Sequence, residues 1–176
     1  NPDFTLTSPF DVVGYVTNDP YCSFFIDGGT DDGLSLYDPV MTVQGLVGTI
    51  TEIGEETATV TTILSPDIHI GAISSRTREK GIITGSISLL SEGNCKMSYL
   101  DKETRLKEDY VILTSGENSF FPKGCVIGFV VDTGTEATGL SAYAKIKPAA
   151  DLKNLTKVVV ITDYSGKGEQ DGTEQH

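Results

Sequence analysis

The chain writes one short β-pattern twice. Gly45-Leu-Val-Gly48-Thr-Ile50-Thr-Glu52-Ile-Gly54 and Gly124-Cys-Val-Ile-Gly128-Phe-Val130-Val-Asp132-Thr-Gly134 both read Gly-x-Ile/Val-x-Glu/Asp-x-Gly from the inner glycine onward. Each follows Asp-x-Val and a threonine, in Asp38-Pro-Val40-Met-Thr42 and in Asp109-Tyr-Val111-Ile-Leu-Thr114. The separation is too long for one unit of a solenoid. It suits two small β-domains of one architecture, an arrangement found more often in scaffolds and binding surfaces than in enzymes without a cofactor.

Bulk properties agree. A chain of 176 residues makes one ordinary domain or two small ones. Nineteen glycines, no tryptophan and 38% hydrophobic residues fit turn-rich β-structure with modest aromatic packing. A net charge of -12 argues against nucleic acid, whose phosphates are bound by Lys and Arg, and against adsorption to anionic lipid. No stretch approaches the ~20 apolar residues that span a bilayer, and no signal peptide is visible. The opening Asn1-Pro2-Asp3 without methionine suggests a fragment of a longer protein. Cys22, Cys95 and Cys125 are isolated, with no Cys-x-x-Cys, so they read as buried thiols with one disulfide left open.

Period-two alternation runs along most of the chain. Strands are expected at 11–16, 22–26, 40–43, 46–53, 57–64, 68–74, 81–85, 86–90, 95–100, 111–114, 126–131, 140–147 and 158–161. Asp27 to Gly33 reads as a hairpin turn. Only Ala149 to Leu155 looks helical, with Pro148 placed where a missing N–H costs nothing. The expected organisation is a lead-in over 1–9, a first barrel over 10–66 and a second over 67–164, with an acidic flexible tail over 165–176. The seam falls near Pro66, and the last strand could instead return to the first barrel. Closure into Greek-key-like barrels removes exposed sheet edges.

Catalytic constellations are poor. His69, Asp101 or Asp109, and Ser115 occur in the chain order of a chymotrypsin-like triad, which needs a buried Asp to orient the His and a His to take the serine proton. Ser115-Gly116 lacks a preceding Gly-Asp. His69, between Ile68 and Ile70, falls on the face opposite them and reads as exposed. Two histidines and scattered acids give no metal spacing, and Asp27 to Gly33 lacks the closing Glu of a calcium loop. Arg76, Arg78 and Lys80, and also Lys102, Arg105 and Lys107, read as solvated loops. Phe120-Phe121 before Pro122-Lys123-Gly124 stands out. With Pro122 at position i+1 the segment suggests a type II turn. The two rings either plug a barrel end or form an apolar contact for a partner. Tyr15, Phe24 and Phe25 carry the same ambiguity.

Several segments together resemble the extracytoplasmic β-domain of the bacterial rod shape-determining family MreC. They are Phe25-Ile-Asp27 to Gly33, Gly45 to Gly54, Ile63 to Asp67, Arg76 to Gly85, Val111 to Gly116, Phe121-Pro122-Lys123-Gly124, Lys147 to Leu152 and Val158 to Ile161. The likeness covers about residues 10–162. It departs at Glu117-Asn118-Ser119, where a glycine-rich turn is usual, and at Cys125 to Ile127, which lacks a proline. The resemblance implies an all-β fold of two six-stranded barrels like those of chymotrypsin without its catalytic residues. It further implies a non-enzymatic scaffold of cell elongation that organises peptidoglycan synthesis on the outer face of the cytoplasmic membrane. Its expected partners are a penicillin-binding transpeptidase, MreD, the RodA glycosyltransferase and further copies of itself, with no cofactor. A membrane helix and a coiled coil would precede the β-domain. Phe120, Phe121 and Pro122 are the expected partner contact, and a degenerate serine hydrolase is the alternative.

Overall fold

The computed structural model describes residues 4–117 and 120–167. The strands are β1 (Phe4–Leu6), β2 (Phe10–Tyr15), β3 (Phe24–Ile26), β4 (Pro39–Met41), β5 (Leu46–Ile53), β6 (Ala58–Thr62), β7 (His69–Ser74), β8 (Lys80–Gly85), β9 (Cys95–Leu100), β10 (Val111–Thr114), β11 (Val126–Thr135), β12 (Ala142–Pro148) and β13 (Lys157–Tyr164). Among elements lying wholly within the described residues, helix is limited to two 3₁₀ pieces, Thr30–Asp32 and Ile87–Glu92.

The strands close into two antiparallel rings. One runs β4-β5-β6-β3-β2-β13 and returns to β4; the other runs β10-β11-β12-β9-β8-β7 and returns to β10. The orders correspond position for position, with β13 standing where β7 stands in the second ring. The fold is therefore all-β, with two closed six-stranded barrels and almost no helix.

The repeated sequence marks the repeated geometry. Gly48 lies between Val40 on β4 and Thr62 on β6, and Gly128 between Ile112 on β10 and Pro148 on β12. A Cβ at either glycine would overlap a backbone carbonyl, that of Thr61 or of Lys147. Close backbone approach explains why glycine recurs there. Two residues on, both ladders bulge, between Ile50 and Glu52 and between Val130 and Asp132. A bulge sharpens local twist and bends a strand, which helps a short sheet close on itself.

The rings share one contiguous apolar core. It runs from Phe24, Ile50 and Val60 through Ile63 and Ile70 to Ile83, Met97 and Ile146. The chain crosses between rings over 63–68, where Ile63, Leu64 and Ser65 are buried. Gly85 packs against the Leu64 backbone and Gly45 against the Val126 carbonyl, so glycines also line the seam.

Several expectations need correction. Of the two destinations left open for the last strand, it takes the first ring, so the second ring ends at Pro148. The lead-in holds a strand: β1 continues the line of β2 along β13, with Phe4 opposite Tyr164 and Phe10 opposite Val158. Pro9, lacking an N–H, falls in the gap between them, and Thr7 bridges it through its own N–H and hydroxyl to Val160. Residues 149–155 form turns, not a helix. Tyr15 Oη donates to the Leu152 carbonyl and accepts from the Leu155 N–H, a tertiary anchor that overrides the local propensity. The strand expected over 86–90 is instead a 3₁₀ piece from Ile87 to Glu92, preceded by extended Ser86 and ended by Gly93 at φ 74. Residues 27–33 are not a hairpin: a 3₁₀ turn closed by Gly33 at φ 81 carries the chain from β3 toward β4. Of the tail expected to be flexible, 168–176 lie outside the described residues, while Lys167 is held against Asp38.

Candidate functional site

The β10–β11 loop is closed at its base by Thr114, which is fully buried. Its N–H donates to the Cys125 carbonyl at 2.8 Å and its carbonyl accepts the Gly124 N–H at 2.9 Å. Its hydroxyl donates to the Pro122 carbonyl at 2.5 Å and accepts the Cys125 N–H at 2.8 Å. The turn brackets Lys123 and Gly124, so Pro122 stands one position before the place expected for it, and Gly124 at φ 89 takes the left-handed position.

This staple decides the fate of the paired phenylalanines. Phe121 is 3% exposed and belongs to the shared core, and Pro122 is buried beside it, whereas Phe120 is 41% exposed. The pair therefore divides between the two roles the sequence left open: one ring plugs the barrel and the other faces out.

Phe120 has a counterpart on the first barrel. The Tyr37 ring lies 6.4 Å from it, tilted 31°, and Tyr37 is 60% exposed. Tyr37 stands at φ 69, its N–H donating to the Ile50 carbonyl at 2.7 Å. Below the two rings lies a groove of about 470 Å³ at the junction of the barrels. Thr49 and Thr51 of β5, Thr61 of β6, Phe121, and Asp67, Ile68 and His69 leading into β7 complete its lining. The Thr51 and Thr61 hydroxyls bond to each other at 2.7 Å. An aromatic rim over a small polar floor can take an apolar side chain and satisfy a few polar groups beside it.

Asp38, next to Tyr37, is 1% exposed. Burial raises its carboxyl pKa, and the Ser35 N–H and Lys167 oppose that rise. Burial likewise raises the Cys125 thiol, opposed by Thr114. All three cysteines are free thiols.

Of the triad candidates, Ser115 meets β7 two residues from His69, its N–H donating to the Gly71 carbonyl at 2.9 Å, while the two aspartates lie apart from them. His69 is exposed on the groove, with Ile68 and Ile70 buried on either side as alternation requires. Ser115 Oγ accepts the Glu117 N–H within its own loop. Asp101 accepts the Glu103 N–H, and Asp109 lies beside β10 at the other end of β7 from His69, where Ser75 bonds to Val111. In the calcium-like stretch, Asp27 accepts the Asp11 N–H and Asp32 the Gly29 N–H. Tyr15 and Phe24 pack together, centroids 5.9 Å apart, while Phe25 stays 40% exposed. The threonine floor and Tyr37 escaped sequence reading, because alternating threonines look like any solvated strand face and nothing local pairs Tyr37 with residue 120.

Comparison with known proteins agrees with this architecture. Residues 12–162 match the family model described as "Rod shape-determining protein MreC, barrel core". The cell shape-determining protein MreC of Listeria monocytogenes is 33% identical over 150 residues, covering 83% of this chain and 50% of that protein. The chain thus spans about half the length of that relative. A solved Listeria MreC structure superposes with a TM-score of 0.83 at 29% identity, covering 94% of this chain and 80% of that one. A structure described as the major periplasmic domain of the cell shape-determining filament MreC shares the fold at TM-score 0.72 and 19% identity, covering 90% and 99%. So does Helicobacter pylori MreC, solved as a complex with the penicillin-binding protein PBP2, at TM-score 0.67 and 12% identity, covering 90% and 100%. Two closed barrels, the family match over both of them and a one-third identity over half of a shape-determining protein have one reading: this chain belongs to the rod shape-determining protein MreC family.

Proposed function

We propose that this chain is the barrel core of a non-enzymatic scaffold for peptidoglycan synthesis in cell elongation. It acts on the outer face of the cytoplasmic membrane, as part of a single-pass membrane protein. It binds a penicillin-binding transpeptidase, works with MreD and RodA, and associates with copies of itself. By binding one conformation of the transpeptidase better than others, it raises that conformation's population.

The observation that carries this reading is the junction groove, where Phe120 and Tyr37 present two exposed rings from opposite barrels. Aromatic anchors over a pocket are the usual centre of a protein interface. The named complex of the Helicobacter relative supports a transpeptidase as partner, and the words "periplasmic" and "filament" of another relative support location and self-association.

Titration calorimetry against the extracytoplasmic region of the same organism's elongation transpeptidase tests it. Saturable binding weakened by Phe120→Ala and by Tyr37→Ala is expected. Binding that ignores both changes moves the contact off the groove, and an absence of binding defeats the transpeptidase reading.

A further inference from the structure

Four residues at the end of β13 reach both sides of the groove. Tyr164 Oη donates to the Phe120 carbonyl at 2.7 Å. Its ring, 7% exposed, packs with Cys125, Ile161, Phe4 and Met41 in a small apolar cluster that joins β1, β4 and β13 to the β10–β11 loop. Three residues on, Lys167 Nζ donates to the Thr162 carbonyl at 2.8 Å and to Asp38 Oδ1 at 3.3 Å. Gly166 at φ 92 allows this return of the chain.

Asp38 organises the turn that carries Tyr37. Its Oδ2 accepts the Ser35 N–H at 2.9 Å and its own N–H donates to the Ser35 carbonyl at 3.2 Å. Tyr37 is held at φ 69, a strained conformation for a non-glycine residue. Such a turn persists only where its surroundings over-determine it. A buried carboxylate needs a partner to remain charged, and Lys167 is the cation bonded to this one.

We infer that Tyr164 to Lys167 form a clasp that fixes the placement of Tyr37 against Phe120, and so sets how tightly the groove holds an apolar side chain of a partner. The first half stands on the hydrogen bonds; the second rests on the partner-binding reading above. The clasp joins the C-terminal end of the first barrel to the rim of the second. A pull on the segment after β13 therefore bears on the groove.

The test uses Tyr164→Phe and Lys167→Met, which keep bulk and remove the Tyr164 hydroxyl or the Lys167 ammonium with its bonds to Asp38 and Thr162. In NMR spectra of the free protein, Tyr164→Phe is expected to shift the Phe120 ring and leave the Ser35–Asp38 amides in place. Lys167→Met is expected to shift those amides and the Tyr37 ring. The double variant should lose the Tyr37–Phe120 ring-to-ring NOE. Rings and NOE unchanged in the double variant would overturn the clasp, and so would identical, molecule-wide shifts in the two single variants. In the calorimetric titration, a rim ordered in about a tenth of molecules raises the apparent Kd about tenfold. An unchanged Kd in a variant with a displaced rim overturns the second half. If the unmodified protein fails to bind, the transpeptidase reading falls and the spectra alone decide the clasp.

Discussion

Replacing the two repeated glycines by alanine tests the account of why the sequence repeats at all. A Cβ on Gly48 would lie 2.8 Å from the Thr61 carbonyl carbon and overlap its oxygen; one on Gly128 would lie 2.8 Å from the Lys147 carbonyl carbon, with the same overlap. Ordinary contacts begin at 3.4 Å, so each strand pair must part by more than half an ångström. The obstacle is backbone, and no rotamer change relieves it. Parting β5 from β6, or β11 from β12, weakens about two flanking hydrogen bonds at roughly 1 kcal/mol each. Overpacking adds about 1–3 kcal/mol. The smaller entropy of unfolded alanine returns about 0.5–1 kcal/mol. Gly48→Ala and Gly128→Ala should therefore each cost on the order of 2–4 kcal/mol. Gly14→Ala is the control: a Cβ there meets nothing within 4 Å, so that change should be neutral or stabilise by about 0.5 kcal/mol. Urea unfolding reads the difference. With a slope of about 2 kcal/mol per molar, the two costly variants should lose roughly 1–2 M of midpoint. Midpoints for Gly48→Ala and Gly128→Ala indistinguishable from that of Gly14→Ala would refute the close-approach argument.

Other changes probe the site and the buried groups. Phe121→Ala should cost about 3–5 kcal/mol in the same unfolding assay and Phe120→Ala under about 1 kcal/mol; the reverse order would contradict the assigned roles. Burial pushes the Cys95 thiol up to about 12, and Cys125 is raised for the same reason. Since the thiolate is the reactive form, a disulfide reagent near neutral pH should reach the half-buried Cys22 first and Cys95 only on unfolding. Rapid native labelling of Cys95 would contradict its burial. Asp38 binds its proton more tightly in the fold than at its ordinary 3.8, chiefly through burial. That contribution to stability is complete below the unfolded value and is lost as pH rises through the folded one. Stability of the native protein relative to Asp38→Asn should thus rise as pH falls from neutral toward about 4; a relative fall over that window would mean that the Lys167 pairing outweighs desolvation.

What the sequence made legible has a physical basis. Glycine at a tight crossing and a bulge two residues on each leave a residue-type trace, so the duplication could be read without coordinates. Alternation put His69 on the open face between Ile68 and Ile70 for the same reason. The destination of Val158 to Ile161 was not legible, because an apolar run fits any vacant position in either barrel. β1 was hidden by its three-residue length and flanking prolines, and residues 149–155 by a helical composition that Tyr15 overrides from the other end of the chain. At the site, Phe120 and Phe121 read as one feature; the Thr114 staple, formed by a side chain at the other end of the same loop, is what separates them. The groove itself depends on Tyr37 and Phe120 meeting across the barrels, a contact no local pattern encodes.

The pairing of Lys157 with Asp11 has a kinetic meaning. The first barrel to leave the ribosome cannot seal until the second has been made, since β13 follows every strand of the second ring. The second barrel, whose strands lie within one continuous stretch, meets no such delay. Long-range closure is slow because its loop entropy is lost before its contacts form. The expected sequence of events is therefore inverted relative to synthesis: the later barrel matures first and offers the seam on which the earlier one is completed. Until β13 docks, β2 and β4 keep open edges, and that interval is when this molecule is most exposed to mispairing with its neighbours.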